Sequence, residues 1–200
     1  NIFDFLMKTK NYKFGEAVRL LASDAGMEPF KFTKQDEDKE NRWKIYKLIL
    51  EKYTDFCHKE LLLGKYPEIT NYLNKRKITK NEITYFKIGY SSEKENFYEV
   101  LKKEFEDKQI ISSGIYYFDE NKKKYVDRFR NRIIFPVKSL NSSIFALGGR
   151  SINKNTFAKY INSPETEFYK KGNNLYNIHS AKDFRNKSEE VFIVEGYMDV

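Results

Sequence analysis

Two carboxylates four residues apart, Glu195 and Asp199, follow the apolar run Val191-Phe192-Ile193-Val194. Oxygen ligands of this kind suit Mg2+ or Mn2+. The apolar run, half of it β-branched, predicts a strand buried on both faces, as in a parallel sheet. Gly196 permits a sharp turn after Glu195, at the rim where open α/β sheets bind ligands. An acid that caps the free amides of a helix explains the same residues. Two acids and one strand do not decide between these readings.

A second constellation is Arg128-Phe129-Arg130-Asn131-Arg132-Ile133-Ile134-Phe135-Pro136-Val137. On a strand, where side chains alternate, Arg128, Arg130 and Arg132 would share one face. Three guanidiniums so placed need anionic partners, either phosphates or carboxylates of the same chain. Arg150 follows Gly148-Gly149, small residues that let a phosphate approach the backbone, although the lysine and spacing of a P-loop are absent. The third constellation runs from Lys159 to Gly172. It mixes Lys159, Lys170 and Lys171 with Asn162, Ser163, Tyr160, Phe168 and Tyr169, as a surface that holds phosphates and stacks bases would.

Charge distribution supports a polyanionic partner. The net charge is +8, yet residues 121–171 hold twelve basic and three acidic residues, and the rest of the chain is close to neutral. Arginine is the scarcer cation, and four of eight lie in that segment. A mean hydropathy of -0.74 and the lack of a long apolar run predict a soluble, cytoplasmic protein. One cysteine, Cys57, and two distant histidines exclude an internal disulfide and a zinc site within the chain.

These constellations need elements to hold them. Apolar residues at helical spacing predict two short helices before Gly26, which cannot bury their faces alone. Residues 27–40 lose that periodicity and read as a charged linker. A long amphipathic helix is expected from about Asn41 to Leu63, with Trp43, Tyr46, Leu50, Tyr53 and Cys57 along one side. Three more helices are read between Pro67 and Phe105. Strands at 115–118, 125–129, 133–137 and 144–147 form hairpins, and a short helix near Ser180 to Lys187 precedes the apolar run. The fold class is α+β.

Taken in order, YFKIGY, DRFRNRIIFPV, GGR, KYINSPETEFYKKGNNLY and VFIVEGYMDV resemble the core of bacterial replicative primases of the DnaG family. NIFDFL and EAVRLLA resemble the helices that end that family's zinc-binding domain. The resemblance implies residues 1–26 as the end of the zinc-binding domain, with the zinc ligands upstream. It implies 41–188 as the N-terminal subdomain of the RNA polymerase core, and 189–200 as the start of a TOPRIM catalytic domain. Glu195 would be the first catalytic acid, Asp199 a neighbour, and the other Mg2+ or Mn2+ ligands would follow residue 200. Arg130, Arg132, Arg150, Lys159, Asn162 and Lys171 would contact template, RNA primer or ribonucleoside triphosphates, with Arg76, Arg128 and Lys170 as further binding candidates. At Arg76-Lys77 the family has Arg-Gly, which puts the turn's geometry in question. The implied activity is primer synthesis on single-stranded DNA, with a replicative helicase and single-strand-binding protein as partners. Two other readings stay open: a single-stranded nucleic-acid-binding module without chemistry, and a TOPRIM topoisomerase or nuclease fragment.

Overall fold

The computed structural model describes residues 2–28, 33–184, 190 and 192–200. The chain divides into two compact units, Asn1–Arg42 and Trp43–Val200. In the first, α1 (Ile2–Lys10) and α2 (Phe14–Asp24) pair through Phe3 and Phe14, whose ring centroids lie 5.7 Å apart. Ile2, Phe5 and Phe14 remain more than half exposed, as expected of two helices with too little surface to cover one another.

The long helix α3 (Lys34–Leu62) starts seven residues before Asn41, so the second half of the expected linker is helical. Its start is fixed by a reciprocal cap. The Thr33 amide donates to Asp36 Oδ2 at 2.9 Å, and the Asp36 amide donates to Thr33 Oγ1 at 3.2 Å. Those hydrogen bonds hold the Asp36 carboxyl below its usual range. The charge run hid this signal, because the residues after the cap are too polar to show a helical apolar stripe.

In the second unit, α4 (Pro67–Lys75), α5 (Lys80–Tyr85), α6 (Tyr98–Lys102) and α7 (Asp107–Ser112) surround a sheet of β1 (Gly89–Ser91), β4 (Arg132–Lys138), β5 (Ile144–Arg150) and β6 (Tyr160–Asn162). The order is β1-β4-β5-β6, all antiparallel, and β2 (Tyr116–Asp119) with β3 (Lys124–Asp127) forms a separate hairpin. A short 3-10 helix at Lys171–Asn173 and α8 (Ile178–Phe184) complete it. Part of the helix expected to reach Lys187 lies outside the described residues.

β1 was not legible in the sequence. Its three residues sit between turn signals, and only pairing with Arg132–Ile134 makes them a strand. β4 is buried on both faces. Ile134 and Val137 join α3's Tyr46, Leu50, Tyr53 and Cys57 in one core, and Ile133 and Phe135 join Leu61, Leu73 and Ile83 in another. This explains why the strand reads as an unbroken apolar run rather than an alternating one. Pro136 fits there because β1 pairs only as far as Ile134.

Candidate nucleic-acid interface

Antiparallel pairing brings the start of β4, the end of β5 and the start of β6 to one end of the sheet. Ile133 faces Arg150, and Arg150 faces Tyr160. At that end Arg132 Nη1 donates to the Lys159 carbonyl at 3.3 Å, while the Lys159 side chain is exposed. Burial first, then the nearby charge of Arg130, lowers the Arg132 pKa, so the guanidinium sits where an anion would relieve it.

Arg150 is the most enclosed cation of the group, at 5% exposure. Its guanidinium carbon lies 5.3 Å from the Tyr72 ring centroid and 4.6 Å from that of Tyr160. Arg76, which caps the C-terminal end of α4, lies 5.7 Å from the same Tyr72 ring. Such contacts contribute about 0.5–2 kcal/mol each, more as water is excluded. Arg150 Nε is buried with no hydrogen-bond partner. Arg76, Arg132, Arg150 and Lys159 are thus gathered by Tyr72, Tyr160 and the strand ends.

Arg128 and Arg130 depart from expectation. They lie in the turn between β3 and β4, not on one strand face with Arg132. The Phe129 amide donates to Asp127 Oδ1 at 2.6 Å and Asn131 takes a φ of 56°, which reverses the chain. Arg128 Nε donates to the Gly114 carbonyl at 2.9 Å and its guanidinium covers Tyr117. Arg130 Nη1 donates to the Asp127 carbonyl at 3.0 Å and to Tyr117 Oη at 3.3 Å. Both have internal anchoring roles. Nothing in the sequence singles out Asp127, whose partners are distant along the chain. It accepts from Tyr53 at 2.8 Å and from Ser91 at 2.5 Å, and tethers α3 and β1 to this turn.

The glycine pair also has another use. A Cβ on Gly148 would lie 2.5 Å from the Tyr197 ring, and one on Gly149 would lie 2.7 Å from Phe129. Aromatic rings, rather than a phosphate, occupy the space the glycines leave. In the later loop, Lys170 pairs with Glu165 at 3.2 Å, and Lys171 is exposed on the 3-10 helix.

The segment carrying Glu195 and Asp199 is not a buried strand. Phe192 and Ile193 are 82% and 81% exposed, and among the described residues no strand pairs with 192–194; Val191 lies outside them. Without a ladder partner an apolar run has no sheet to enter. Asp199 lies in a turn closed by its amide on the Gly196 carbonyl at 3.1 Å. Tyr197 fixes the segment: its ring stacks on Phe135 at 5.5 Å, and its hydroxyl donates to Asn162 Oδ1 at 2.5 Å. A hard divalent ion takes about six oxygen ligands. Among the described residues no three His, Cys, Asp or Glu side chains come together, so Glu195 and Asp199 do not by themselves make a metal centre.

Residues 56–182 match the family model described as DNA primase catalytic core, N-terminal domain. The DNA primase of Buchnera aphidicola subsp. Baizongia pistaciae is 35% identical over all of this chain, which covers 35% of that protein. That of Clostridium acetobutylicum is 34% identical, again over the whole chain and 33% of its own length. The chain therefore spans about a third of the relatives it matches. Among solved structures, the zinc-binding and RNA polymerase domains of the Aquifex aeolicus primase align with a TM-score of 0.70 at 28% identity, covering 98% of this chain and 47% of that one. A DnaG primase catalytic domain bound to ssDNA aligns with a TM-score of 0.70 at 27% identity, over 80% and 52%. On this match of sequence and fold, the chain belongs to the bacterial DnaG primase family, whose catalytic-core N-terminal domain it carries.

Proposed function

We propose that this chain forms the template-binding part of a primase that synthesises RNA primers on single-stranded DNA. The observation that carries the reading is the convergence of Arg76, Arg132, Arg150 and Lys159 at one sheet end, with Asn162 tied to the Glu195–Asp199 segment. Such a surface neutralises phosphates and leaves bases free to pair with incoming nucleotides. The relative bound to ssDNA supports the template as partner. Residues 1–26 are read as the end of a zinc-binding domain, consistent with the alignment to the Aquifex primase, and 189–200 as the opening of a TOPRIM domain.

In this reading Arg132, Arg150, Lys159 and Lys171 hold template, primer or nucleotide triphosphate, and positioning supplies much of the rate. Glu195 and Asp199 contribute carboxylates beside that surface. Nucleotidyl transfer of this class uses divalent ions, whose further ligands would come from other residues. The test is template-directed dinucleotide synthesis by this chain joined to the remainder of a DnaG core. Glu195→Gln is expected to reduce synthesis by a factor of ten or more, and undiminished synthesis contradicts the assignment. A second reading, a binding module with no chemistry of its own, is favoured by the lack of a three-ligand acidic cluster among the described residues; undiminished synthesis by Glu195→Gln would place the chemistry in other parts of the core and favour it.

A further inference from the structure

We infer that Tyr72 and Tyr160 are positioning residues that hold the Arg150 guanidinium as a preset receptor for one phosphate oxygen of a bound single strand. The inference rests on reading this sheet end as a strand-binding surface, and goes beyond it by assigning two uncharged residues to that task.

The geometry is a sandwich. Tyr72, on α4, and Tyr160, the residue paired with Arg150 across β5 and β6, both carry the guanidinium over their rings, at 5.3 and 4.6 Å. Arg150 is thereby held at 5% exposure, with Nε buried and unpartnered. No hydrogen bond fixes Nε within the protein, so the two rings, rather than a carboxylate or carbonyl, set where the guanidinium sits. Aromatic faces suit this purpose better than carboxylates. They stabilise the cation without neutralising it, so its charge and its hydrogen bonds stay available to phosphate. A side chain already fixed loses less freedom on binding.

The Tyr72 hydroxyl is buried with no hydrogen-bond partner, so Tyr72→Phe breaks no hydrogen bond and leaves the ring over Arg150. Arg76 on the same ring extends the stack outward and keeps a second cation near the first.

The experiment measures binding of a fluorescein-labelled oligothymidylate to the whole chain by anisotropy. Tyr72→Phe and Tyr160→Phe are expected to bind within twofold of the parent. Tyr160→Leu and Tyr72→Leu should weaken binding roughly threefold to thirtyfold, the size of a lost cation–ring contact. In an Arg150→Ala background Tyr160→Leu should cause no further loss, because its effect passes through Arg150. Tyr160 is 40% exposed, so its leucine variant keeps the test decisive even where Tyr72→Leu fails to fold. Parent-like binding by Tyr160→Leu, or an undiminished loss in the Arg150→Ala background, overturns the positioning role. Parent-like binding by Arg150→Ala itself overturns the strand-binding reading at this position and the inference with it.

Discussion

The hydroxyl of Tyr197 donates to Asn162 Oδ1 at 2.5 Å, so a single side-chain bond ties the acidic segment to β6. Burial, then the nearby Tyr169, pushes the Tyr197 pKa up to about 12, and the phenol stays a donor across the neutral range. Its ring lies nearly parallel to Phe135, at 9°, and edge-on to Tyr176, at 88°.

Removing the bond and removing the ring should therefore differ. Tyr197→Phe is expected to cost about 1 kcal/mol, and Tyr197→Ala about 3–5 kcal/mol through the cavity beside Phe135 and Gly148. Urea unfolding of the three proteins measures this. Equal losses would mean that the ring is not packed as described.

Asp127 predicts a pH dependence. Burial raises its pKa above the ordinary 3.8, against hydrogen bonds from Ser91, Tyr53 and the Phe129 amide and the charge of Arg130, which lower it. Between the unfolded and folded values the native state binds more proton. The contribution is present in full below the unfolded value and is lost as pH rises through the folded one. Asp127→Asn keeps the shape without the titration. Across that window the parent should lose stability relative to the variant as pH rises; parallel urea midpoints at every pH would contradict this.

At Lys77 the φ is +62°, so the turn after α4 keeps a left-handed geometry with a residue poorly suited to it. The Lys77 amide on the Asn74 carbonyl and the Ile78 amide on the Leu73 carbonyl close that helix end. A left-handed non-glycine residue costs about 1–2 kcal/mol, partly offset by the extra freedom glycine has when unfolded. Lys77→Gly should raise stability by about 0.5–1 kcal/mol. A lowered melting temperature would show that the lysine side chain contributes more than the backbone loses.

Periodicity carried most of the fold: both N-terminal helices, the buried side of α3 and four of the six strands among the described residues follow from residue spacing. What escaped depended on distant partners. β1 is a strand only because β4 lies beside it, and the apolar run at 192–194 is not one because nothing among the described residues does. Similarly, the arginine alternation was visible, but Asp127 turns the chain and separates Arg128 and Arg130 from Arg132. Tyr72 carried a faint signal, its spacing of four from Arg76 on a helix. Its contact with Arg150, far along the chain, required the fold.

The proposed function requires Arg132, Arg150 and Lys159 to form one phosphate-binding surface for a single strand. Its most direct measurement is the salt dependence of oligothymidylate binding by the parent, Arg132→Ala and Lys159→Ala. Each substitution should weaken binding and reduce the slope of log affinity against log salt by about 0.7 for a lost phosphate contact. Parent-like affinities and slopes in both variants would contradict the account.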